Sequence, residues 1–248
     1  SDAETMISDM RNVDAPFDSV LVGGTSAAFV DSNEAIFSRV PIAGAMIVVS
    51  TFVLLFLMFG SLLVPLKAIV LNTLSLTAVF GFIVWVFQEG NGADLLGFTA
   101  TGLTDTSMPI LMFCVAFGLS MDYEVFLLSR MKEEYDRTGD NDLAVATGLE
   151  RTGRLVTAAA LLLSITFFAF ATSGVTFIKL FGLGLAIAVL VDAFIVRSTL
   201  VPALMKLAGD WNWWAPGPLR RLHDRIGISE GDPPEEPAVD AEPVAVEA

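Results

Sequence analysis

Asp122, Tyr123 and Glu124 stand inside an apolar run, between Val115-Ala116-Phe117-Gly118-Leu119-Ser120-Met121 and Val125-Phe126-Leu127-Leu128. A helix starting near Met108 rises ~1.5 Å per residue, which puts Asp122 ~21 Å along it. That depth falls inside a hydrocarbon core of ~30 Å. An ionised carboxylate there costs at least ~2.5 kcal/mol on insertion scales and marks a functional site by default. The chemistry open to it is proton carriage. Burial disfavours a carboxylate's charged form, so reversible protonation near neutral pH becomes possible. Tyr123 lies ~100° round the helix, and its phenol can hydrogen-bond a carboxyl from another helix. The bland alternative is a helix that starts later and leaves Asp122 among the headgroups.

Other ionisable residues in apolar surroundings invite the same question. Glu124 is ~200° from Asp122 on the helix and is expected to snorkel or to hydrogen-bond locally. Asp192 and Arg197 lie ~140° apart on an ideal helix; they are expected not to pair with one another but to bond other elements. Arg197 falls late enough in its run to reach the cytoplasmic interface. Gly118 shares the face of Asp122 and would admit a close helix neighbour. Thr157, Ser164 and Thr166, with Ala158 to Ala160, suit close helix packing. Two intramembrane acids also raise an aspartyl protease, which needs two facing carboxylates sharing a proton. Its Tyr-Asp and Gly-x-Gly-Asp motifs are absent: the order here is Asp122-Tyr123, and Asp192 follows Leu190-Val191.

Long apolar elements must position these groups. Of the 248 residues, 54% are hydrophobic and 17% charged, and the mean hydropathy is +0.67; a soluble domain carries about 25% charge. This is a multi-pass membrane protein. A single cysteine, Cys114, excludes an intramolecular disulfide framework, and one histidine, His223, leaves no metal-ligand cluster. The net charge of −14 is half tail, since residues 227–248 hold seven acids and no base. That Pro-, Glu- and Ala-rich tail cannot build a core and is expected to be disordered. No basic patch suggests nucleic acid.

Five spans are expected, at about 40–62, 66–88, 107–129, 155–177 and 180–205, each near the ~20-residue requirement. Together they make a transmembrane domain over 39–206, followed by a juxtamembrane segment over 207–226. Asp140 or Asn141 caps a short surface helix through Glu150. Residues 1–38 are polar. Ser1-Asp2-Ala3-Glu4 resembles a capping box, Asp18 to Gly24 reads as a strand, and Thr25 to Arg39 as a helix leading into the membrane. Some forty residues with one strand cannot bury a core of their own. The expectation is the end of a domain, in a segment of something longer. Ten Lys and Arg residues fall on one side (Lys67, the Arg130 to Arg154 loop, and Lys206 to Arg225). That side is cytoplasmic by the positive-inside rule, which puts residues 1–38 outside and the C-terminus inside. Trp211, Trp213 and Trp214 read as an interfacial belt that anchors without a substrate role.

Phe117-Gly118-Leu119-Ser120-Met121-Asp122-Tyr123-Glu124-Val125-Phe126-Leu127, with Ser129-Arg130 and Glu133-Glu134-Tyr135, resembles the tenth-helix signature of the MMPL ("mycobacterial membrane protein large") transporters. These belong to the resistance-nodulation-division superfamily. Val22-Gly23-Gly24 with Asp31, Thr152-Gly153-Arg154, Val191-Asp192-Ala193-Phe194 with Val196-Arg197, Pro202-Ala203-Leu204-Met205 and Trp211-Asn212-Trp213-Trp214 agree in order. The resemblance covers about residues 15–225. It implies an all-α multi-pass bundle, the five spans being the last five of a twelve-helix transporter in the plasma (inner) membrane. Residues 1–38 would then be a small α/β remnant of an extracytoplasmic, porter-like domain. It further implies a secondary active transporter, not an enzyme, exporting lipids or other hydrophobic molecules by proton antiport, with protons as the coupling ion and no cofactor. Asp122 and Tyr123 would form the proton relay with a matching Asp-Tyr helix in the N-terminal half; Ser120, Glu124, Asp192 and Arg197 are further candidates. A lipid-sensing, receptor-like relative that does not pump, and a broad drug efflux pump of the same superfamily, are the alternatives. Substrate contacts and oligomeric state are not legible.

Overall fold

The computed structural model describes residues 2–12, 22–98 and 107–226. Nine α-helices follow one another among them: α1 (Asp2–Arg11), α2 (Thr25–Phe59), α3 (Leu63–Ile83), α4 (Ala93–Leu96), α5 (Ser107–Thr138), α6 (Asn141–Phe170), α7 (Thr176–Leu190), α8 (Val201–Ala208) and α9 (Gly217–Ile226). Two stretches wind as π-helix, with i→i+5 bonding: Val84–Gln88 extends α3, and Val191–Leu200 joins α7 to α8. Five helices are long and apolar enough to cross a membrane: Thr25–Phe59, Leu63–Gln88, Ser107–Thr138, Asn141–Phe170 and Thr176–Trp213.

The expected spans and the observed helices agree in number and order, with three differences. Thr25–Phe59 is one unbroken helix, ending where Gly60 adopts φ 62°, a left-handed conformation that glycine enters without a Cβ penalty. The surface helix expected through Glu150 is continuous with the fourth span. Asp140 caps it, its Oδ1 accepting from Asp142 N at 2.9 Å and Leu143 N at 3.1 Å, and the helix then runs to Phe170. The turn after it falls at 171–175, so Phe177 belongs to α7.

No strand occurs among the described residues. Most of the expected Asp18 to Gly24 strand lies outside them, and its end at 22–24 is not strand. The amino-terminal stretch is seen as α1, held to α2 by Arg11, which donates to both Asp31 carboxylate oxygens at 2.6 and 2.9 Å. The acidic tail at 227–248 and the part of the Gly-rich loop at 99–106 also lie outside the described residues.

Helix α6 packs most extensively on α5 and α7. The α6–α7 approach is close enough that a Cβ on Gly182 would sit 2.6 Å from the Phe167 carbonyl oxygen, so only glycine fits that crossing. Two large apolar clusters, and a small third one of Val156, Ala160 and Ala193, form the core. One large cluster joins Leu55, Phe59, Ala68, Leu127, Met131 and Met205; the other joins Leu76, Val79, Ile83, Met112, Ala116 and Leu185. Along α3, α5 and the last spanning helix the two large clusters are separated by polar residues: Asn72, Ser75, Ser120, Glu124 and Arg197 are buried, and Asp192 is half-buried beside Arg197.

Candidate functional site: a buried charge layer between two apolar clusters

The layer is assembled around Arg197. Its guanidinium is buried, at 2% residue exposure, and its Nη2 lies 2.7 Å from Asp192 Oδ2. The same nitrogen donates to the Ser120 carbonyl oxygen. Ser120 Oγ donates to Asp192 Oδ1 at 2.7 Å, closing a ring of three residues from two helices. The Tyr123 ring lies beside the guanidinium, 5.2 Å from its centroid to the Arg197 carbon, a cation–π distance.

This geometry corrects the expectation that Asp192 and Arg197 do not pair. The expectation assumed α-helical winding. The segment is π-helical, and i→i+5 bonding brings residues five apart onto one face. Ser198 Oγ and Thr199 Oγ1 show the same register, bonding the carbonyls of Ala193 and Phe194 at 2.7 and 3.4 Å, five residues back. Nor does Arg197 reach an interface. It is held inside the bundle, where an unpaired charge would be costly.

Glu124 is likewise a correction. It neither snorkels nor bonds its own helix: it is 4% exposed, and Asn72 Nδ2 on α3 donates to its Oε2 at 3.5 Å. Arg197 and Asp192 both lie close enough to act on it electrostatically. The Ser120–Asp192–Arg197 ring and Tyr123 border a cavity of about 20 Å³, lined also by Ala116, Val156 and Ala160; that is room for about one water. Glu124 borders a second, narrower cavity with Lys67, Leu71, Leu128, Leu204 and Met205.

Asp122 stands apart. It is exposed on α5, while its neighbour Tyr123 turns inward. On the same outward side Leu111 and Cys114 are exposed, and a Cβ on Gly118 would meet nothing within 4 Å. The close helix neighbour expected at Gly118 is not one of this chain's described residues. Of the small α6 residues, Ala160 and Ser164 are buried, whereas Thr166 is exposed and bonds its own helix at Leu162 O.

Three buried polar residues escaped the sequence reading. Asn72 and Ser75 are uncharged and sit in an apolar run; their only signal was polarity within a span. Asn212, hidden among tryptophans, is 0% exposed. Its side chain accepts from Lys67 Nζ and donates to Met205 O at 2.6 Å, Gly209 O at 2.6 Å and Asn141 Oδ1 at 3.1 Å. Trp213 joins this knot through a 3.1 Å bond from Nε1 to Asn141 Oδ1 and a 4.9 Å stack on Tyr135. The expected plain interfacial belt therefore describes Trp211 and Trp214, which are exposed, and not Trp213.

Residues 7–227 match the MMPL family. A putative membrane protein of Streptomyces coelicolor is 48% identical over 232 residues, 94% of this chain and 32% of that protein. The trehalose monomycolate exporter MmpL3 of Mycolicibacterium smegmatis is 40% identical over 237 residues, 95% of this chain and 23% of the relative. Membrane protein YdfJ of Bacillus subtilis is 40% identical over 222 residues, 90% and 30%. The chain thus spans 23% to 32% of the length of these relatives. With its five apolar helices and the motif around Asp122 inside the matched region, the chain belongs to the MMPL family of membrane transporters.

Proposed function

We propose that this chain is the proton-coupling part of an exporter of lipids or other hydrophobic molecules, driven by the proton-motive force. The observation that carries the reading is the ring of Ser120, Asp192, Arg197 and Tyr123, a charge cluster held inside an apolar bundle. Intramembrane ionisable residues of this kind mark ion and proton pathways. One relative, MmpL3, is named as an exporter of trehalose monomycolate, which supports a lipid substrate here.

In this reading Asp122 and Tyr123 are the relay pair. Tyr123 touches the internal ring. Asp122 faces outward across the open Gly118 surface, where a helix of the other half, bearing a matching Asp-Tyr pair, would seat. The Lys67 and Arg130 end faces the cytoplasm, so a proton taken up by Asp122 from outside is released toward that end. Each charge that crosses contributes ~2.3 kcal/mol per 100 mV, enough to bias a two-state bundle. Neutralising Asp122 loosens its partner contacts and lets the two halves rock.

The test is proton flux into proteoliposomes of the full-length protein under an imposed pH gradient. Asp122→Asn is expected to abolish coupled flux and export while the protein still assembles. Export that survives the substitution would sink the reading and favour a lipid sensor that does not pump.

A further inference from the structure

Charge balance in the buried layer leaves one group without a role. Two carboxylates, Asp192 and Glu124, face one guanidinium, Arg197. The Asp192–Arg197 pair is neutral as a unit and is bonded on both carboxylate oxygens. Glu124 has no ion pair, and the hydrogen bond it accepts from Asn72 is long, at 3.5 Å. A buried charge without a counterpart is expensive, and a proton would supply that counterpart.

The surroundings of Glu124 suit both of its protonation states. Asn72 presents a donor, Nδ2, to the carboxylate. Its Oδ1 is buried without a hydrogen-bond partner and would accept from the protonated acid, which gains an O–H donor. Arg197 Nε and Nη1 are likewise buried and unpartnered, leaving spare donors near the layer when Glu124 is ionised. The groups that face Glu124 are therefore Arg197 and Asp192 from the last spanning helix, Asn72 and Lys67 from α3, and Tyr123 one position away on α5.

Glu124 is also the member of the layer that reaches toward the Lys67 end. It lines the cavity shared with Lys67, and Lys67 Nζ in turn bonds the Leu204 carbonyl at 2.8 Å and the Asn212 side chain. From these contacts we propose that Glu124 is a second proton-carrying carboxylate, passing protons between the Asp192–Arg197 ring and the Lys67 end of the bundle. In the transfer, a hydronium ion reaching the layer protonates the Glu124 carboxylate and leaves as water. The acid then protonates a water molecule on the side of the cavity it shares with Lys67, and Glu124 returns to its carboxylate. The proposal rests on the proton-coupled reading above.

The full-length protein in proteoliposomes under a pH gradient tests it. Glu124→Gln keeps size and hydrogen bonding to Asn72 but cannot carry a proton. Its flux is expected to fall at least about tenfold, as when a positioned proton-transfer group is removed. Glu124→Asp is expected to conduct with a displaced pH profile, which a merely structural role would not produce. Infrared difference spectra across pH are expected to show a carboxylic-acid carbonyl band that Glu124→Gln removes. Wild-type flux in Glu124→Gln, or an unmoved pH profile in Glu124→Asp, would overturn the proposal. Should Glu124→Gln fail to assemble, the Glu124→Asp profile decides. Lost flux in Asp122→Asn with normal flux in Glu124→Gln would reject this inference alone. Normal flux in Asp122→Asn would reject the proton-coupled reading beneath it.

Discussion

Two of the polar assemblies buried among the described residues are built to opposite standards. The knot at the end of the bundle ties the Ser61 turn, Lys67, Asn141, Met205 and Trp213 through Asn212, and no side-chain atom of Asn212 or Asn141 is left buried without a partner. The charge layer between the apolar clusters leaves Asn72 Oδ1 and both Arg197 Nε and Nη1 unpartnered. Satisfied networks rigidify a core, whereas partly satisfied ones are costly to keep. The knot therefore holds the helices together. The layer keeps spare donors and acceptors beside its charges, which is what the proposed proton site would require.

That contrast is breakable, and the largest effect should come from the layer. Arg197→Met strands Asp192 beside an apolar side chain. Removing one partner of a buried pair costs about 3–5 kcal/mol, read as a lower unfolding midpoint in detergent, and proton flux should vanish. Adding Asp192→Leu to that variant should restore much of the stability and none of the flux. Recovery of flux in the double variant would refute the assignment of the layer to transport.

In the knot, Asn212→Leu leaves Lys67 Nζ and the Met205 and Gly209 carbonyls short of a partner. The expected loss is about 2–3 kcal/mol of stability, with flux per assembled transporter unchanged. Trp213→Phe keeps the stack on Tyr135 and loses only the bond to Asn141. It should cost about 1 kcal/mol, detectable as a small shift of the same midpoint.

The sequence made some of this legible and not the rest, for identifiable reasons. Five apolar runs announce themselves by composition, so the number of long apolar helices is readable from sequence. Helix ends were less so: the charged stretch from Arg130 to Arg154 reads as a loop with a surface helix, yet Asn141–Phe170 is continuous. Pairing within the last spanning helix does not follow from α-helical angles, because Val191–Leu200 is π-helical and residue types alone disclose no such period. From sequence Glu124 is expected to snorkel or to hydrogen-bond locally, as a glutamate near a helix's polar end can. What holds it inside is Asn72 on a different helix, and that contact exists only once the bundle is packed.

The most direct measurement compares proton flux per assembled transporter for Asp192→Asn and Asn212→Leu, prepared side by side in the full-length protein. The account predicts that Asp192→Asn assembles and loses flux, while Asn212→Leu is less stable and conducts normally once assembled. Normal flux in Asp192→Asn, or its selective loss in Asn212→Leu, would contradict the division between a working layer and a structural knot.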